Sequence, residues 1–182
     1  MLNDTPQWVA LYTNSRCERK AAENVAALGV ETYLPLHIQR RRWSDRWKKV
    51  EVPLFPSYIF ARITRRQVVP VRSTPMVVGI VAWRYEPAVV PDSQIEAIRR
   101  LMAAQAQVNV VNDSKLKKGS LARIVGGQFN GMEGVLVSDC EGGNFAISII
   151  GLDFSLVMDV EKELLEPLEQ KKERAKGIWE KQ

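Results

Sequence analysis

The stretch between residues 40 and 63 constrains this chain most, because it joins a densely charged segment directly to an apolar one. The charged part holds six cations against one carboxylate, Asp45, and places Trp43 and Trp47 between them. Ser44 and Asp45 favour a chain reversal, since short polar side chains bond to nearby backbone groups. The pattern therefore predicts a β-hairpin tip that carries these cations: Arg40, Arg41, Arg42, Arg46, Lys48 and Lys49.

The apolar part, residues 53–61, predicts a buried strand that the hairpin feeds. Pro53 and Pro56 favour an extended entry, because the residue before a proline is pushed out of the helical region. Tyr58, Ile59 and Phe60 have the aromatic and β-branched character of a strand interior. This buried strand is therefore expected to anchor the charged, surface-exposed hairpin to the core.

A strand and a helix are predicted before this stretch. Residues 8–13 are a short β-type run, and the apolar spacing that follows favours a helix over residues 16–28. Ser15 and Glu18 have the spacing of a capping box, in which each side chain satisfies a free amide of the first turn. Gly29 then supplies the left-handed stop.

The same alternation continues to residue 104. Glu31–Gln39 and Met76–Trp83 are predicted strands, and Gln67–Ser73 is a possible short helix that Pro70 weakens. Another helix starts at Pro91, where Ser93 and Glu96 repeat the capping-box spacing. Its predicted buried stripe consists of Ile95, Ile98, Leu101 and Met102. Residues 1–104 are therefore expected to form an α+β domain, an antiparallel sheet flanked by helices.

The sequence after residue 104 has a different residue pattern. Residues 105–115 are polar without sustained periodicity and predict a linker. Residues 116–168 contain four or five short β-type runs separated by glycine-rich turns, the pattern of a small SH3-like β-barrel. Its strands are rich in β-branched residues, so a stable barrel is expected. Residues 169–182 form a charged tail.

Composition suggests a partner and excludes several functions. The net charge is +5 and the pI is about 9.3, which favours a polyanionic partner. Cys17 and Cys140 have no metal-binding spacing, and His37 is the only histidine. The turn at residues 126–134 lacks the Lys-Ser/Thr pair of a phosphate loop. We therefore expect no catalytic residue, cofactor or metal. Because no apolar run is long enough to cross a bilayer, a cytoplasmic protein without membrane contact is expected.

Three segments together resemble the NusG family of transcription elongation factors. The first is Trp8–Tyr12 followed by its helix, and the second is PLFPSYIF at residues 53–60, in which Ser57 stands where the family usually has glycine. The third, residues 119–137, is similar to a KOW motif with Gly131 as its central glycine. The resemblance implies an NGN-type domain followed by a KOW-type barrel, whose turn uses Gly119, Phe129, Gly131 and Gly134.

The resemblance also implies a mechanism. Family members bind the clamp coiled coil of the RNA polymerase β′ subunit through an apolar pocket, bridge the cleft and suppress pausing or termination. By motif position, the pocket would use Tyr12, Tyr58 and Phe60, with Phe55 in support. Upstream or non-template DNA, and in some members nascent RNA, would face the cations of the hairpin and of the first helix. Those of the helix are Arg16, Arg19 and Lys20.

Further expectations follow from the same resemblance. The KOW domain would recruit a termination factor or a ribosomal protein, and the protein is expected to be a monomer. The hairpin and the segment after it are similar to specialised paralogues of the UpxY and RfaH kind, which act on long capsular or surface-polysaccharide operons. Trp43 and Trp47 would stack on an exposed base or pack across the hairpin.

Alternatives remain open at this point. A charge run is also typical of a solvated face, and some of the pocket rings, Phe55 above all, are equally typical of core. A general RNA-binding or ribosome-associated KOW protein would explain the charge and the barrel, but not the set Tyr12, Tyr58 and Phe60. A third alternative is an enzyme that carries a barrel, but the sequence shows no arrangement of nucleophile, base or metal ligands that would support it.

Overall fold

Strand β1 lies at the centre of the amino-terminal sheet and is buried on both of its faces. The computed structural model describes residues 2–42, 46–138, 143–152 and 154–168. β1 pairs antiparallel with β5 from Gln7 to Tyr12 and with β6 and β9 on its other side, while β2 extends the sheet beyond β5. The strands are β1 (Gln7–Thr13), β2 (Glu31–Tyr33), β5 (Tyr58–Ile63), β6 (Val77–Ile80) and β9 (Val89–Val90).

Three helices cover this sheet, as expected for an α+β fold. Ala21 and Val25 of the first helix and Val71 of the second pack with Val9 and Leu11 on one face. The third helix packs on the other face through residues that are buried as predicted: Ile95, Ile98 and Leu101. The predicted Met102 is half-buried. The helices are α1 (Glu18–Ala26), α2 (Val68–Arg72) and α3 (Asp92–Ala103).

Both predicted capping boxes are wrong, although both helices form near the predicted positions. Cys17 precedes α1 and Pro91 precedes α3, and neither helix has a side-chain cap hydrogen bond. The Glu18 carboxylate instead accepts a hydrogen bond from the Ser57 amide. Gly29 has φ +74°, which confirms its role as a left-handed residue after the helix.

The predicted hairpin is confirmed as β3 (Leu36–Arg42) paired with β4 (Trp47–Pro53). The expected continuous strand over residues 31–39 is wrong, because the chain is interrupted after Tyr33. Pro35 lies at this break, where it cannot donate to a strand ladder. The hairpin tip, including Trp43, lies outside the described residues.

The expected β-run at residues 76–83 is also interrupted. β6 ends at Ile80, and the chain leaves the sheet edge as a small hairpin of β7 (Ala82–Trp83) and β8 (Glu86–Pro87). It then returns to the same edge as β9, which pairs with Trp8 and Val9 of β1.

The carboxyl-terminal part is a six-stranded antiparallel sheet in the order β10-β14-β13-β12-β11-β15. The expected linker is wrong over residues 109–112, because these residues form β10 and pair with β14. Phe145 and Leu156 are buried at its centre. The tail predicted at residues 169–182 lies outside the described residues. The strands are β10 (Asn109–Asn112), β11 (Lys117–Ile124), β12 (Glu133–Ser138), β13 (Phe145–Ser148), β14 (Phe154–Met158) and β15 (Leu165–Pro167).

The two sheets pack against each other along α3. Gln94 of α3 donates to the Ser148 carbonyl oxygen at 2.9 Å and accepts from the Ile150 amide at 2.9 Å. Arg100 donates to the carbonyl oxygen of Gln128 at 2.7 Å. Buried residues of both parts therefore belong to one apolar cluster.

Candidate docking and nucleic-acid surfaces

Tyr12 and Tyr58 form an aromatic pair where β1 and β5 meet the surface. They are direct partners in the antiparallel ladder, so their side chains lie on the same face of the sheet. Their ring centroids are 5.3 Å apart with an interplanar angle of 53°. Tyr12 is 44% exposed and Tyr58 is half-buried. The two rings together offer an apolar surface with two hydroxyl groups.

Phe55 and Phe60 are buried in the core cluster against which Tyr58 packs. Phe60 is 0% exposed and Phe55 1%, and their rings meet edge to face at 6.0 Å. Phe60 also stacks on Tyr33 at 6.3 Å. The resemblance implied that Phe60 contacts the polymerase with Phe55 in support, and in this structure neither ring is exposed. Both rings belong to the core cluster against which Tyr58 packs.

A strained turn holds Tyr58 in place. Ser57 has φ +65°, a left-handed conformation that explains why glycine is usual at this position of the motif. The Ser57 amide donates to Glu18 Oε1 at 2.7 Å, and the Thr13 amide donates to the Ser57 carbonyl oxygen at 2.8 Å. Glu18 is only 6% exposed. Sequence reasoning missed this role of Glu18, and the serine at a glycine position was the signal that could have revealed it.

Replacing Ser57 by glycine is expected to stabilise the fold by about 0.5–1 kcal/mol. Relief of the left-handed strain, about 1–2 kcal/mol, outweighs the greater entropy of glycine in the unfolded chain, about 0.5–1 kcal/mol. Chemical denaturation of both proteins measures this difference. Ser93→Gly, within the first turn of α3, is the control and should lower stability; a loss of stability in Ser57→Gly would contradict the assigned strain.

The hairpin concentrates positive charge at its described end. Arg40 lies opposite Lys49, and Arg41 opposite Lys48, in the β3–β4 ladder. Like charges directly opposite each other destabilise a strand pair, so this end is suited to a polyanion that would neutralise them. Trp47 is 67% exposed and therefore does not pack across the hairpin. The exposed cations with described side chains are Arg40, Arg42, Arg46, Lys48 and Lys49.

The cations of α1 lie beside the base of this hairpin. Arg19 forms an ion pair with Glu51 of β4 at 3.3 Å, both side chains being more than half exposed. Arg16 and Lys20 are exposed as well. The structure therefore brings the two predicted groups of cations to adjoining elements, and Glu51 partly neutralises one member.

A groove of about 1050 Å³ separates α1 and the hairpin base from the carboxyl-terminal sheet. Arg16, Arg19 and His37 line one wall, and Val110 and Phe154 belong to the opposite wall. Burial lowers the pKa of His37 below its usual value, so at neutral pH this side chain is uncharged. The positive charge of the groove therefore comes from the two arginines.

Of the four predicted KOW turn residues, Phe129 and Gly131 lie in the turn between β11 and β12, whereas Gly119 and Gly134 lie within these two strands. Gly131 has φ +82°, and its amide donates to the Ile124 carbonyl oxygen at 2.7 Å. A Cβ atom on Gly134 would lie 2.5 Å from the Ala146 carbonyl oxygen, so only glycine fits there. Gly119 has less severe crowding, and the half-buried Phe129 packs against the core.

The described residues contain no group of three or more histidine, cysteine or acidic side chains placed to hold a metal ion. No helix among them combines the length and apolar character required to span a membrane.

Comparisons with known proteins agree with the fold. The family model described as NusG, transcription termination factor nusG, matches residues 6–99, just over half of the 182-residue chain. The transcription termination/antitermination protein NusG of Streptococcus pyogenes serotype M3 is 28% identical over 142 residues, covering 71% of this chain and 79% of the relative; the serotype M1 protein matches equally.

A solved structure of Thermotoga maritima NusG, from work on its domain interaction, is similar over both parts of the chain. It is 27% identical, with a TM-score of 0.51, and the match covers 90% of this chain and 98% of that one. The similarity therefore extends beyond the region that the family model matches.

Proposed function

The chain belongs to the NusG family of transcription termination and antitermination factors, and on this premise we propose that it binds the clamp coiled coil of the RNA polymerase β′ subunit. In this proposal the protein bridges the polymerase cleft and suppresses pausing or termination. Residues 1–104 provide the polymerase-binding domain, and residues 116–168 together with β10 provide the KOW domain.

The observation that carries the proposal is the aromatic pair of Tyr12, which is exposed, and Tyr58, which is half-buried. Both lie within the segment that the family model matches. Tyrosines are enriched among the residues that dominate binding energy, and a helical tip docks through a few apolar anchors in a groove. Tyr58 packs against the buried cluster that contains Phe55 and Phe60, so its ring is held in place before a partner binds.

A labelled fragment of the clamp coiled coil tests this proposal directly. Fluorescence anisotropy should report saturable binding by the full chain, and unlabelled core RNA polymerase should compete for it. Binding to ribosomal subunits, with none to the coiled coil or the polymerase, would favour the alternative of a ribosome-associated KOW protein.

Phe154 of the carboxyl-terminal sheet packs on one member of the docking pair. Its ring centroid lies 6.5 Å from that of Tyr58, in an edge-to-face arrangement. A helical tip that contacts Tyr58 therefore competes with Phe154. In the proposal, the carboxyl-terminal sheet must move from this position before the full docking surface is available.

Replacing Phe154 by alanine is expected to raise the affinity for RNA polymerase by up to about tenfold. An edge-to-face aromatic pair contributes about 0.5–1.5 kcal/mol. Losing it weakens the packing of the carboxyl-terminal sheet over Tyr58, which competes with polymerase binding. Titration of polymerase with both proteins measures the change, and circular dichroism checks that β-structure is retained. Weaker binding by a folded Phe154→Ala protein would show that Phe154 contributes to the contact instead.

The cations of the hairpin and of α1 are proposed to face upstream or non-template DNA, or nascent RNA. Neutralising phosphates gives affinity without reading sequence, and the opposed pair Arg40 and Lys49 would be relieved by it. Arg16, Arg19 and Lys20 would extend the same surface past the hairpin base. Trp47 is available for stacking because its ring is exposed.

We also propose that the protein serves particular operons, of the capsular or surface-polysaccharide kind, rather than all genes. The support is the likeness of the hairpin and its following strand to specialised members of the family. Transcript profiling of a deletion strain should show loss confined to one or a few long operons. A genome-wide change would indicate a general elongation factor.

The proposed KOW partner is a termination factor or a ribosomal protein. Leu121 and Ile150 are 41% and 49% exposed and offer apolar contacts on this part of the molecule. Ile150 follows β13 beside Gln94, so a partner at this position would meet α3 as well.

A further inference from the structure

The small hairpin between β6 and β9 ends in two consecutive left-handed residues, neither of which is glycine. Arg84 has φ +49° and Tyr85 φ +67°. They are the central residues of the reversal, since Trp83 pairs with Glu86 on either side. Reversals with two positive φ angles favour Asn-Gly, and a bulky residue such as tyrosine is an outlier in this conformation. The backbone therefore holds this tip at a conformational cost.

Burial of the aromatic side chains does not offset this conformational cost. Tyr85 is 103% exposed and Trp83 62%. Each strand of the hairpin has two residues, so the hairpin has no apolar face against which the two rings could pack. Strain and exposed aromatic rings at the same place point to a contact outside the chain.

The chemistry of the tip fits one class of partner. Two rings flank a guanidinium, and among the described residues no ion pair or hydrogen bond uses the Arg84 side chain. We propose that the tip, defined as residues 83–85, binds single-stranded nucleic acid: bases stack on Trp83 and Tyr85, and Arg84 contacts a phosphate. Only an unpaired base can offer its face to a ring, which excludes intact duplex.

The surroundings favour nucleic acid over a protein partner. Residues that dominate protein–protein binding lie inside a rim of packed neighbours that excludes water. The rings here are exposed instead, and the charged Arg84 and Glu86 are their chain neighbours. The base of the hairpin lies close to the carboxyl-terminal part, since a Cβ built on Gly151 would lie 3.1 Å from the Ala88 Cβ. The inference does not depend on the pair Tyr12 and Tyr58.

The test uses the full chain and a fluorescein-labelled oligo(dT) of about 12 nucleotides, within the range of single-strand site sizes. The double variant Trp83→Thr/Tyr85→Asn removes both rings, and asparagine also suits the left-handed position. Its affinity is expected to fall at least about fivefold, with an unchanged salt dependence. Arg84→Gln should instead reduce the slope of log K against log salt by about 0.7.

Two controls make the outcome specific. Tyr85→Phe keeps the ring and should bind oligo(dT) like the wild type, while the double variant should bind a matched duplex with wild-type affinity. Melting curves confirm that each variant is folded, and Tyr85→Asn alone replaces the double variant if that one is not. Unchanged oligo(dT) affinity, or equal losses on duplex, would overturn the proposal. Loss of RNA polymerase binding alone would overturn it in favour of a protein contact.

Discussion

The full chain carrying Tyr12→Ala and Tyr58→Ala is expected to bind RNA polymerase at least about 30-fold more weakly than the wild type. Truncating a residue that dominates an interface costs about 2 kcal/mol or more, which corresponds to this factor. The two rings lie 5.3 Å apart on one face of the sheet and would be removed together. Anisotropy or surface-based titration against core polymerase measures the affinity.

The matched control is Tyr12→Phe/Tyr58→Phe, which keeps both rings and loses only their hydroxyl groups. It should retain most of the affinity, because the apolar ring area provides the anchor. Circular dichroism and melting of the alanine variant must show an intact fold. Equal binding by a folded alanine variant and the wild type would place the docking surface elsewhere.

Phe60→Ala is expected to lower the free energy of unfolding by about 3–5 kcal/mol, the range for truncating a buried phenylalanine. The ring is 0% exposed and contacts both Phe55 and Tyr33, so its removal leaves a cavity between the sheet and its covering layer. Chemical denaturation measures the loss. Tyr12→Ala is the comparison and should cost much less, because its ring is 44% exposed.

Polymerase binding by the Phe60→Ala variant shows whether the Phe60 ring supports the docking surface or contacts the polymerase itself. If Phe60 only supports the docking surface, polymerase binding by Phe60→Ala should weaken in step with its loss of stability. A Phe60→Ala protein that is as stable as the wild type but fails to bind polymerase would show that this ring contacts the partner, and would contradict the assigned burial.

Much of the architecture was predictable because its signals are local. The segment around Tyr58 has strand composition between proline-marked turns, and the cationic run contains its own reversal, so hairpin and strand were both expected and both form. The buried stripe of α3 follows from helical spacing alone. Gly126, Gly127 and Gly131 likewise mark the turn between β11 and β12.

Features that depend on distant partners could not be predicted. Glu18 has the spacing of a cap, but its carboxylate binds the Ser57 amide, which lies 39 residues away. β10 has polar flanks and becomes a strand only because β14 pairs with it. Tyr12 and Tyr58 reach the surface, whereas Phe55 and Phe60 are buried. This difference depends on packing between elements that are distant in sequence, so no single segment could reveal it.

The most direct test of the proposed function is the lifetime of a defined pause by purified RNA polymerase, with and without saturating protein. The predicted result is a shorter pause with the wild type and no change with the Tyr12→Ala/Tyr58→Ala variant at the same concentration. A pause whose lifetime is unchanged or lengthened by the wild type would contradict a role in suppressing pausing.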